Sequence, residues 1–292
     1  MPQGLTDKFF VFAVVALLLG FGSGANAAAT KAPAAPEVRS AAALVVNGDT
    51  GEVIFERKAG LVVPIASITK LMTALVVIDG QQPLDEVIKI SSEDVWKGKG
   101  AFSRLAVGTK LTRGDLLRLA LMASENRAAH VLARTYPGGK AAFVKTMNLK
   151  ARSLGMTHTR FADASGLSNH NVSNARDLAK LVIAVSRDSR IREFSTLDSH
   201  EVRLGRNMFR YVNTNLLVGR PEWDILVQKT GYTNDAGQCL VMEATIEDRP
   251  VVMVLLNSFG SLTRTADARR IRKWMEARPE SRVAGAGEMA RK

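Results

Sequence analysis

Apolar, strand-like segments lie at both ends of this chain, and the sequence between them is mostly helical in character. Near the start, residues 41–46 and 52–56 are joined by the turn-forming residues 47–51, a pattern typical of a β-hairpin. A second set follows much later: residues 225–229, 238–246 and 251–256. This order predicts an α+β fold with one five-stranded antiparallel sheet built from both chain ends. Helices would pack on the sheet, with a helical subdomain inserted beside it.

Helical periodicity recurs between and after these strands. Leu71, Ala74 and Ile78 share one helix face, and Thr112 with Asp115 resembles a capping box. The predicted helices span residues 67–78, 116–123, 177–186 and 265–276. We interpret the basic residues of the last helix as a solvated face: Arg264, Arg269, Arg270, Arg272 and Lys273.

The two ends of the chain differ from its middle. An apolar run over residues 9–21, followed by Ala25-Asn26-Ala27, has the layout of a cleavable secretory signal over residues 1–27. A permanent N-terminal anchor is the alternative, although the run is short for a bilayer span, which needs about 20 residues. Residues 28–40 predict a flexible leader, and residues 277–292 predict a disordered basic tail.

The chain is strongly basic, with 40 Lys and Arg against 28 Asp and Glu and a formal net charge of +12. Such a charge favours an anionic partner, and export to the periplasm makes that partner the cell envelope rather than nucleic acid. A nucleic-acid-binding protein stays open as an alternative if the protein remains in the cytoplasm. The single cysteine, Cys239, excludes an internal disulfide and is expected to be a buried apolar residue, and the scattered histidines predict no metal site.

The sequence Ser67-Ile68-Thr69-Lys70 stands at the start of a predicted helix. Residues i and i+3 share a helix face, so the Ser67 hydroxyl and the Lys70 amine can come within hydrogen-bonding distance. A serine beside an amine is a nucleophile with a base, provided that burial and a second nearby cation lower the pKa of the amine. The plain alternative is that Ser67 caps the helix and Lys70 is solvated.

Two further motifs follow at long intervals. Ser124-Glu125-Asn126 lies in a predicted break between helices, and Lys229-Thr230-Gly231 ends the predicted strand that begins at Ile225. A glycine at that point would let a ligand approach the strand edge closely. Each motif alone has a plain structural explanation. All three in this order, each in a suitable element, point to a single active site.

Together the three motifs resemble those of the penicillin-binding proteins and class A β-lactamases, the penicilloyl serine transferases. The resemblance runs from about Ala41 to Trp274 and implies a D,D-peptidase catalytic domain over residues 41–276 with a β-lactamase-like fold. The segment from Lys229 to Leu240 is similar to the D-alanyl-D-alanine endopeptidase branch in particular. Further segments similar to the low-molecular-mass D,D-peptidases are residues 64–73, 154–161 and 173–177.

This resemblance implies a serine mechanism that needs no metal or organic cofactor. Ser67 would attack the carbonyl of a D-alanyl residue, Lys70 would act as the base, and Ser124 would relay a proton to the leaving amine. The backbone N–H groups of Ser67 and Tyr232 would form the oxyanion hole. The other implied substrate-binding residues are Asn126 for the acyl-side amide, Lys229 and Thr230 for the substrate carboxylate, and Gly231.

The expected function is a periplasmic D,D-endopeptidase that hydrolyses D-alanyl cross-links in peptidoglycan and is inhibited by β-lactams. One alternative is a D-alanyl-D-alanine carboxypeptidase, which would use the same catalytic residues. Another is a non-catalytic receptor for β-lactams or muropeptides, whose signature would be loss of Lys70 or Asn126. Both residues are present.

The sequence also departs from the family patterns. Its second motif reads Ser-Glu-Asn rather than Ser-Asp-Asn, and no glutamate has an asparagine four residues later, the spacing of the deacylating glutamate in class A β-lactamases. Efficient β-lactam hydrolysis is therefore not expected. Few residues follow Glu276, so we expect neither the extra C-terminal domain nor the anchor helix of the larger carboxypeptidases, and at most a peripheral association with the membrane.

Overall fold

The computed structural model describes residues 34–98 and 102–278. Its strands, in chain order, are β1 (Ser40–Asn47), β2 (Val53–Arg57), β3 (Val63–Pro64), β4 (Val87–Lys89), β5 (Lys110–Thr112), β6 (Val172–Ser173), β7 (Ser199–Leu204), β8 (Asn207–Val212), β9 (Asp224–Thr233), β10 (Gly237–Ile246) and β11 (Arg249–Ser258). Its α-helices are α1 (Thr69–Asp79), α2 (Arg113–Met122), α3 (Asn126–Arg134), α4 (Gly139–Ser153), α5 (Ala175–Val185), α6 (Ser189–Thr196) and α7 (Thr263–Glu276). Short 3₁₀ turns span Ala66–Ile68 and Ser92–Asp94.

The main sheet has five antiparallel strands in the order β2-β1-β11-β10-β9. Strand β1 pairs with β11, so that Ala42 lies opposite Leu256 and Val46 opposite Val252. The first and last strands of the sheet sequence are therefore neighbours at its centre, and the prediction of one sheet built from both chain ends is confirmed. This order leaves β9, which carries the third motif, at an edge of the sheet.

The central strands are buried on both faces. On one face, Leu44 and Val254 belong to the large core shared with α1 to α5. On the other face, Met253 packs with Ile271 and Met275 of α7. Alternate side chains of a strand point to opposite faces, so apolar residues at nearly every position of β1, β10 and β11 fit a sheet covered on both sides.

The start of β1 is fixed to α7 by a buried carboxylate. The backbone N–H groups of Arg39 and Ser40 donate to Asp267 at 2.7 to 3.0 Å, and the Ser40 hydroxyl donates at 2.6 Å. Val38 is also buried. The flexible leader predicted to reach residue 40 was therefore too long, because these last residues are held by hydrogen bonds to α7.

The predicted helices are present with shifted ends, and several elements were missed. Helix α1 begins at Thr69 rather than Ser67, after the 3₁₀ turn, and β9 continues past the third motif to Thr233. The missed elements are α4, α6, the β7–β8 hairpin and the short strands β3 to β6. In α4 only Phe143, Met147 and Ala151 are buried. These three residues form a narrow apolar stripe, and the polar residues around them leave too weak a helical pattern to predict α4 from the sequence.

The predicted signal segment 1–27, residues 28–33 of the leader and residues 279–292 of the tail lie outside the described residues. Within residues 34–98 and 102–278, none of the helices combines the length and the apolar composition needed to cross a bilayer.

Candidate active site

Ser67 and Lys70 meet at the junction between the 3₁₀ turn Ala66–Ile68 and α1. Lys70 Nζ lies 2.7 Å from Ser67 Oγ, and it also donates to Asn126 Oδ1 and to the Ser165 carbonyl, each at 2.7 Å. Residues i and i+3 share a face in both a 3₁₀ turn and an α-helix, so the later start of α1 still brings hydroxyl and amine together. The first and second motifs therefore converge on one amine.

The environment of Lys70 favours its neutral form. The side chain is fully buried, and this burial lowers the pKa of Lys70 from 10.5 to about 7, while the charges of Asp163 and Glu125 oppose the shift. A pKa near 7 leaves a substantial fraction of neutral amine at physiological pH. The burial expected from the sequence is thus the dominant cause of the shift.

A tight loop behind Lys70 supplies the Ser165 carbonyl. The Asp163 carboxylate accepts hydrogen bonds from the backbone N–H groups of Ser165, Gly166 and Ser168. Burial raises the pKa of Asp163, but a hydrogen bond from the Ser165 hydroxyl at 2.7 Å and these backbone hydrogen bonds together hold it below its usual value. His130 supports the same loop, with Nε2 3.0 Å from Ser165 Oγ.

Gly166 allows this loop to touch the nucleophile turn. It has φ +86°, and a Cβ atom there would lie 1.9 Å from the Ala66 carbonyl oxygen. Ala66 itself has φ +45°, and Ser124 of the second motif has φ +59°. Left-handed backbone at non-glycine residues beside two hydroxyl groups is strain of the kind that concentrates at functional sites.

The second motif occupies the break between α2 and α3, as predicted. Asn126 is the first residue of α3, and Glu125 is buried and accepts a hydrogen bond from the Arg127 N–H at 3.0 Å. The Ser124 hydroxyl has no hydrogen-bond partner among residues 34–98 and 102–278. It is half-buried.

The third motif lies within β9 rather than at its end. Lys229 is fully buried and donates to the Thr230 carbonyl at 2.9 Å. Burial, and then the charges of Lys70 and Arg264, hold the pKa of Lys229 well below its usual range. A Cβ atom on Gly231 would lie 3.0 Å from the Ile65 carbonyl and 3.2 Å from the Ser67 nitrogen, so the missing side chain lets β9 approach the nucleophile turn.

Tyr232, which follows, is 57% exposed, and its hydroxyl donates to Asn234 Oδ1 at 3.0 Å. Its ring therefore lies at the surface, while its backbone continues the edge strand. The carboxylate-binding and oxyanion roles implied for β9 are compatible with this edge position, because an edge strand has one side free of strand partners.

Thr214 joins the second and third motifs and was missed in the sequence. Its hydroxyl lies 2.6 Å from Thr230 Oγ1, and its N–H donates to the Met122 carbonyl at 3.0 Å, two residues before Ser124. Neither a motif nor a helical or strand pattern marks this residue. Only the folded chain brings it between β9 and the end of α2.

Arg264 corrects the interpretation of the last helix. Its Nη1 donates to the carbonyl groups of Gly231 and Cys239 at 2.8 and 3.0 Å, so it supports the third motif instead of lying in a solvated face. Arg269 and Lys273 are exposed, as expected. Cys239 is buried on β10 as predicted, and burial raises the pKa of its thiol to about 11.

The family model described as D-alanyl-D-alanine carboxypeptidase, Peptidase S11, matches residues 29–260. The chain belongs to the S11 peptidase family. S11 relatives named D-alanyl-D-alanine endopeptidase include one from Pseudomonas aeruginosa, 49% identical over 84% of this chain and 79% of the relative. Another, from Escherichia coli (strain K12), is 44% identical over 94% of this chain and 90% of the relative.

Among solved structures, the Streptomyces K15 DD-transpeptidase is similar with a TM-score of 0.76 and 28% identity, covering 82% of this chain and 97% of that one. The protein is thus an S11 serine D-Ala-D-Ala peptidase with the D,D-peptidase fold. The resemblance found in its motifs is confirmed at the level of the family.

The contact between Thr214 and Thr230 gives a prediction for the S11 reaction. Thr214→Val keeps the side-chain shape but removes the hydroxyl, so kcat/KM for a D-Ala-D-Ala peptide should fall roughly two- to tenfold, mainly through KM. Thr214→Ser keeps the hydroxyl and should restore most of the loss. Steady-state kinetics of both variants test this, and an equal loss in the two would contradict a role for the hydrogen bond.

Proposed function

We propose that this protein is an exported D,D-endopeptidase that hydrolyses D-alanyl cross-links in peptidoglycan through an acyl-enzyme on Ser67. The observation that carries the proposal is the buried Lys70 amine, 2.7 Å from Ser67 Oγ and with a pKa of about 7. The endopeptidase names of relatives that are 49% and 44% identical support the choice of substrate.

Acylation begins with the neutral Lys70 amine. It takes the proton of Ser67 Oγ as the oxygen forms a bond to the D-alanyl carbonyl carbon, and the carbonyl electron pair moves onto its oxygen. The N–H groups of Ser67 and Tyr232 stabilise this oxyanion. When the intermediate collapses, the C–N bond breaks, and Ser124 passes a proton from Lys70 to the departing amine. Water then hydrolyses the ester and regenerates Ser67.

Binding of the substrate carboxylate follows from the burial of Lys229. An ammonium group without an anion is costly at that depth, so a carboxylate arriving beside Lys229 and Thr230 stabilises the charged form of the lysine. Asn126 presents its side-chain amide to the acyl-side peptide. The two lysines therefore have different roles. Lys70 must be neutral to accept a proton, and Lys229 must be charged to bind the carboxylate.

We propose that β-lactams inhibit the enzyme at the same centre. Ring opening by Ser67 gives an acyl-enzyme, and its hydrolysis needs a base to activate water. The two carboxylates whose charges act on Lys70 are both engaged, Asp163 by backbone N–H groups and Glu125 by the N–H of Arg127. We therefore propose a long-lived penicilloyl adduct.

Export to the periplasm is part of this proposal and is supported by the signal-like sequence of residues 1–27 and by the net charge of +12. A basic protein is attracted to a carboxylate-rich polymer. The second candidate is a D-alanyl-D-alanine carboxypeptidase, the activity that describes the family model. A non-catalytic receptor is disfavoured, because Lys70 and Asn126 are in contact at 2.7 Å.

Substitution of the two lysines tests the roles assigned to them. Lys70→Arg replaces the amine that contacts Ser67 Oγ with a guanidinium that stays charged, so acylation by benzylpenicillin should fall by at least about 100-fold. Lys229→Arg keeps a cation for the carboxylate and should lose far less. Intact-mass kinetics measure the adduct, with Ser67→Ala as the blank. Equal losses in the two arginine variants would contradict the division of roles.

Substrate preference tests the endopeptidase assignment. Turnover is compared on a purified D-Ala–meso-diaminopimelate cross-linked dimer and on a monomeric pentapeptide ending in D-Ala-D-Ala, with products identified by mass. The expected result is faster cleavage of the dimer. If the monomer is trimmed and the dimer stays intact, the carboxypeptidase is the correct assignment.

A further inference from the structure

Lys70 has two uncharged acceptors outside the nucleophile turn, and they come from different segments. Asn126 Oδ1 belongs to α3, and the Ser165 carbonyl belongs to the loop whose N–H groups donate to Asp163. Each acceptor lies 2.7 Å from Lys70 Nζ. Keeping both on the amine therefore depends on how α3 and this loop are held together.

His130 connects these two segments. It is a buried residue of α3, about one turn after Asn126, and its Nε2 lies 3.0 Å from Ser165 Oγ. The other ring nitrogen, Nδ1, lies 3.1 Å from the Asp94 carbonyl oxygen. The contacts therefore form a closed ring, which runs from Lys70 through α3 and the imidazole to Ser165 and returns to Lys70 through the Ser165 carbonyl.

The contact between the imidazole and Ser165 can be made in both protonation states of the ring. The Asp94 carbonyl only accepts, so Nδ1 carries a proton, and the Asp94 carboxylate is paired with Arg134 at 2.7 Å. Nε2 then accepts from the Ser165 hydroxyl in the neutral ring and donates to it in the cation. When the hydroxyl donates to Nε2, Asp163 Oδ1 still accepts from two backbone N–H groups of its loop.

Charged groups from several elements act on His130. Burial lowers the pKa of His130 below its usual value, and the charges of Lys70 on α1 and Lys140 on α4 lower it further. The hydrogen bond to the Asp94 carbonyl and the charge of Asp163 oppose this shift. The ring is therefore neutral at physiological pH.

A cavity of about 190 Å³ lies beside the ring. It is lined by His130, by Asp163 and Ala164 of the loop, and by Glu93 and Trp96 among others. The Trp96 ring lies 5.8 Å from the imidazole, measured between ring centroids. The imidazole thus stands where the cavity, α3 and the Ser165 loop come together.

We propose that His130 is a positioning residue for Lys70: its imidazole joins the Ser165 loop to α3 and so keeps both uncharged acceptors on the amine. The inference rests on the proposed function only in taking Lys70 as the base of acylation. Without the imidazole, the Ser165 carbonyl would withdraw from Lys70, and water would enter from the cavity. Water and a nearer Asp163 carboxylate both favour the charged amine, so the pKa of Lys70 should rise.

An NMR titration of the intact protein, labelled with ¹³C at lysine Cε, measures this change directly. His130→Phe keeps a ring in the same space but removes both hydrogen bonds, and it should raise the Lys70 midpoint from about 7 to about 8 or higher. His130→Gln keeps a polar group within reach of Ser165 and should stay near the wild-type midpoint. The matched control His158→Phe makes the same change at an exposed histidine and should leave the midpoint unchanged.

The same shift predicts a loss of acylation by benzylpenicillin that depends on pH. A midpoint of about 8 instead of about 7 leaves about one tenth rather than one half of the amine neutral at pH 7. The acylation rate of His130→Phe relative to wild type should therefore be about one fifth at pH 7 and should recover to about nine tenths at pH 9. A general folding defect would lower this ratio equally at both pH values.

The outcomes separate this inference from the proposed function. If the phenylalanine variant does not fold, the smaller His130→Leu also lacks the hydrogen bonds and carries the same prediction. A wild-type midpoint near 7 that the apolar variants leave unchanged, or that His130→Gln raises as much as they do, overturns the role of His130 alone. A wild-type midpoint close to 10.5 would overturn the role of Lys70 in the proposed function, and this inference with it.

Discussion

The Lys70 amine is buried among three oxygen atoms, and all three belong to uncharged groups: the Ser67 hydroxyl, the Asn126 amide and the Ser165 carbonyl. A carboxylate in contact would keep the amine charged, and water would do the same. The surrounding structure excludes both. Asp163 comes near enough to influence Lys70, but its oxygens are taken by the N–H groups of its own loop. The loop therefore contacts Lys70 with the uncharged Ser165 carbonyl, while its Asp163 carboxylate makes no hydrogen bond to the amine.

Close approach of three backbone segments makes this burial possible. Gly166 brings the loop against the nucleophile turn, and Gly231 brings β9 against the same turn. The main sheet sets the position of β9, because β10 holds it along its whole length with Val241 opposite Lys229. The central pairing of β1 with β11 thus supports the catalytic cleft from a distance, by fixing the strand order.

Much of this arrangement could be predicted from the sequence. The sheet followed from apolar strands at both chain ends, and the convergence of Ser67, Lys70 and Asn126 followed from motif order and helical spacing. Thr214, Asp163 and Gly166 could not be found that way. They act through loop geometry, a left-handed φ angle and contacts between segments distant in sequence. None of these features can be predicted from local hydrophobic periodicity.

The C-terminal end of β9 also could not be predicted from local sequence pattern. Its apolar pattern stops near Val227, which placed the end of the strand at the third motif. In the structure the ladder with β10 continues to Thr233, because a strand is defined by its backbone pairing and does not require that polar residues such as Lys229 and Thr230 be replaced by apolar ones. Arg264 was misassigned for a related reason, since its carbonyl partners lie on β9 and β10.

The central claim is that burial keeps Lys70 poised to lose its proton near neutral pH. Its most direct test is an NMR titration of the intact protein labelled with ¹³C at lysine Cε, in which the Lys70 signal is assigned by its loss in Lys70→Arg and distinguished from that of Lys229 by Lys229→Arg. The account predicts a midpoint of about 7 for Lys70. A midpoint close to the ordinary value of 10.5 would contradict it.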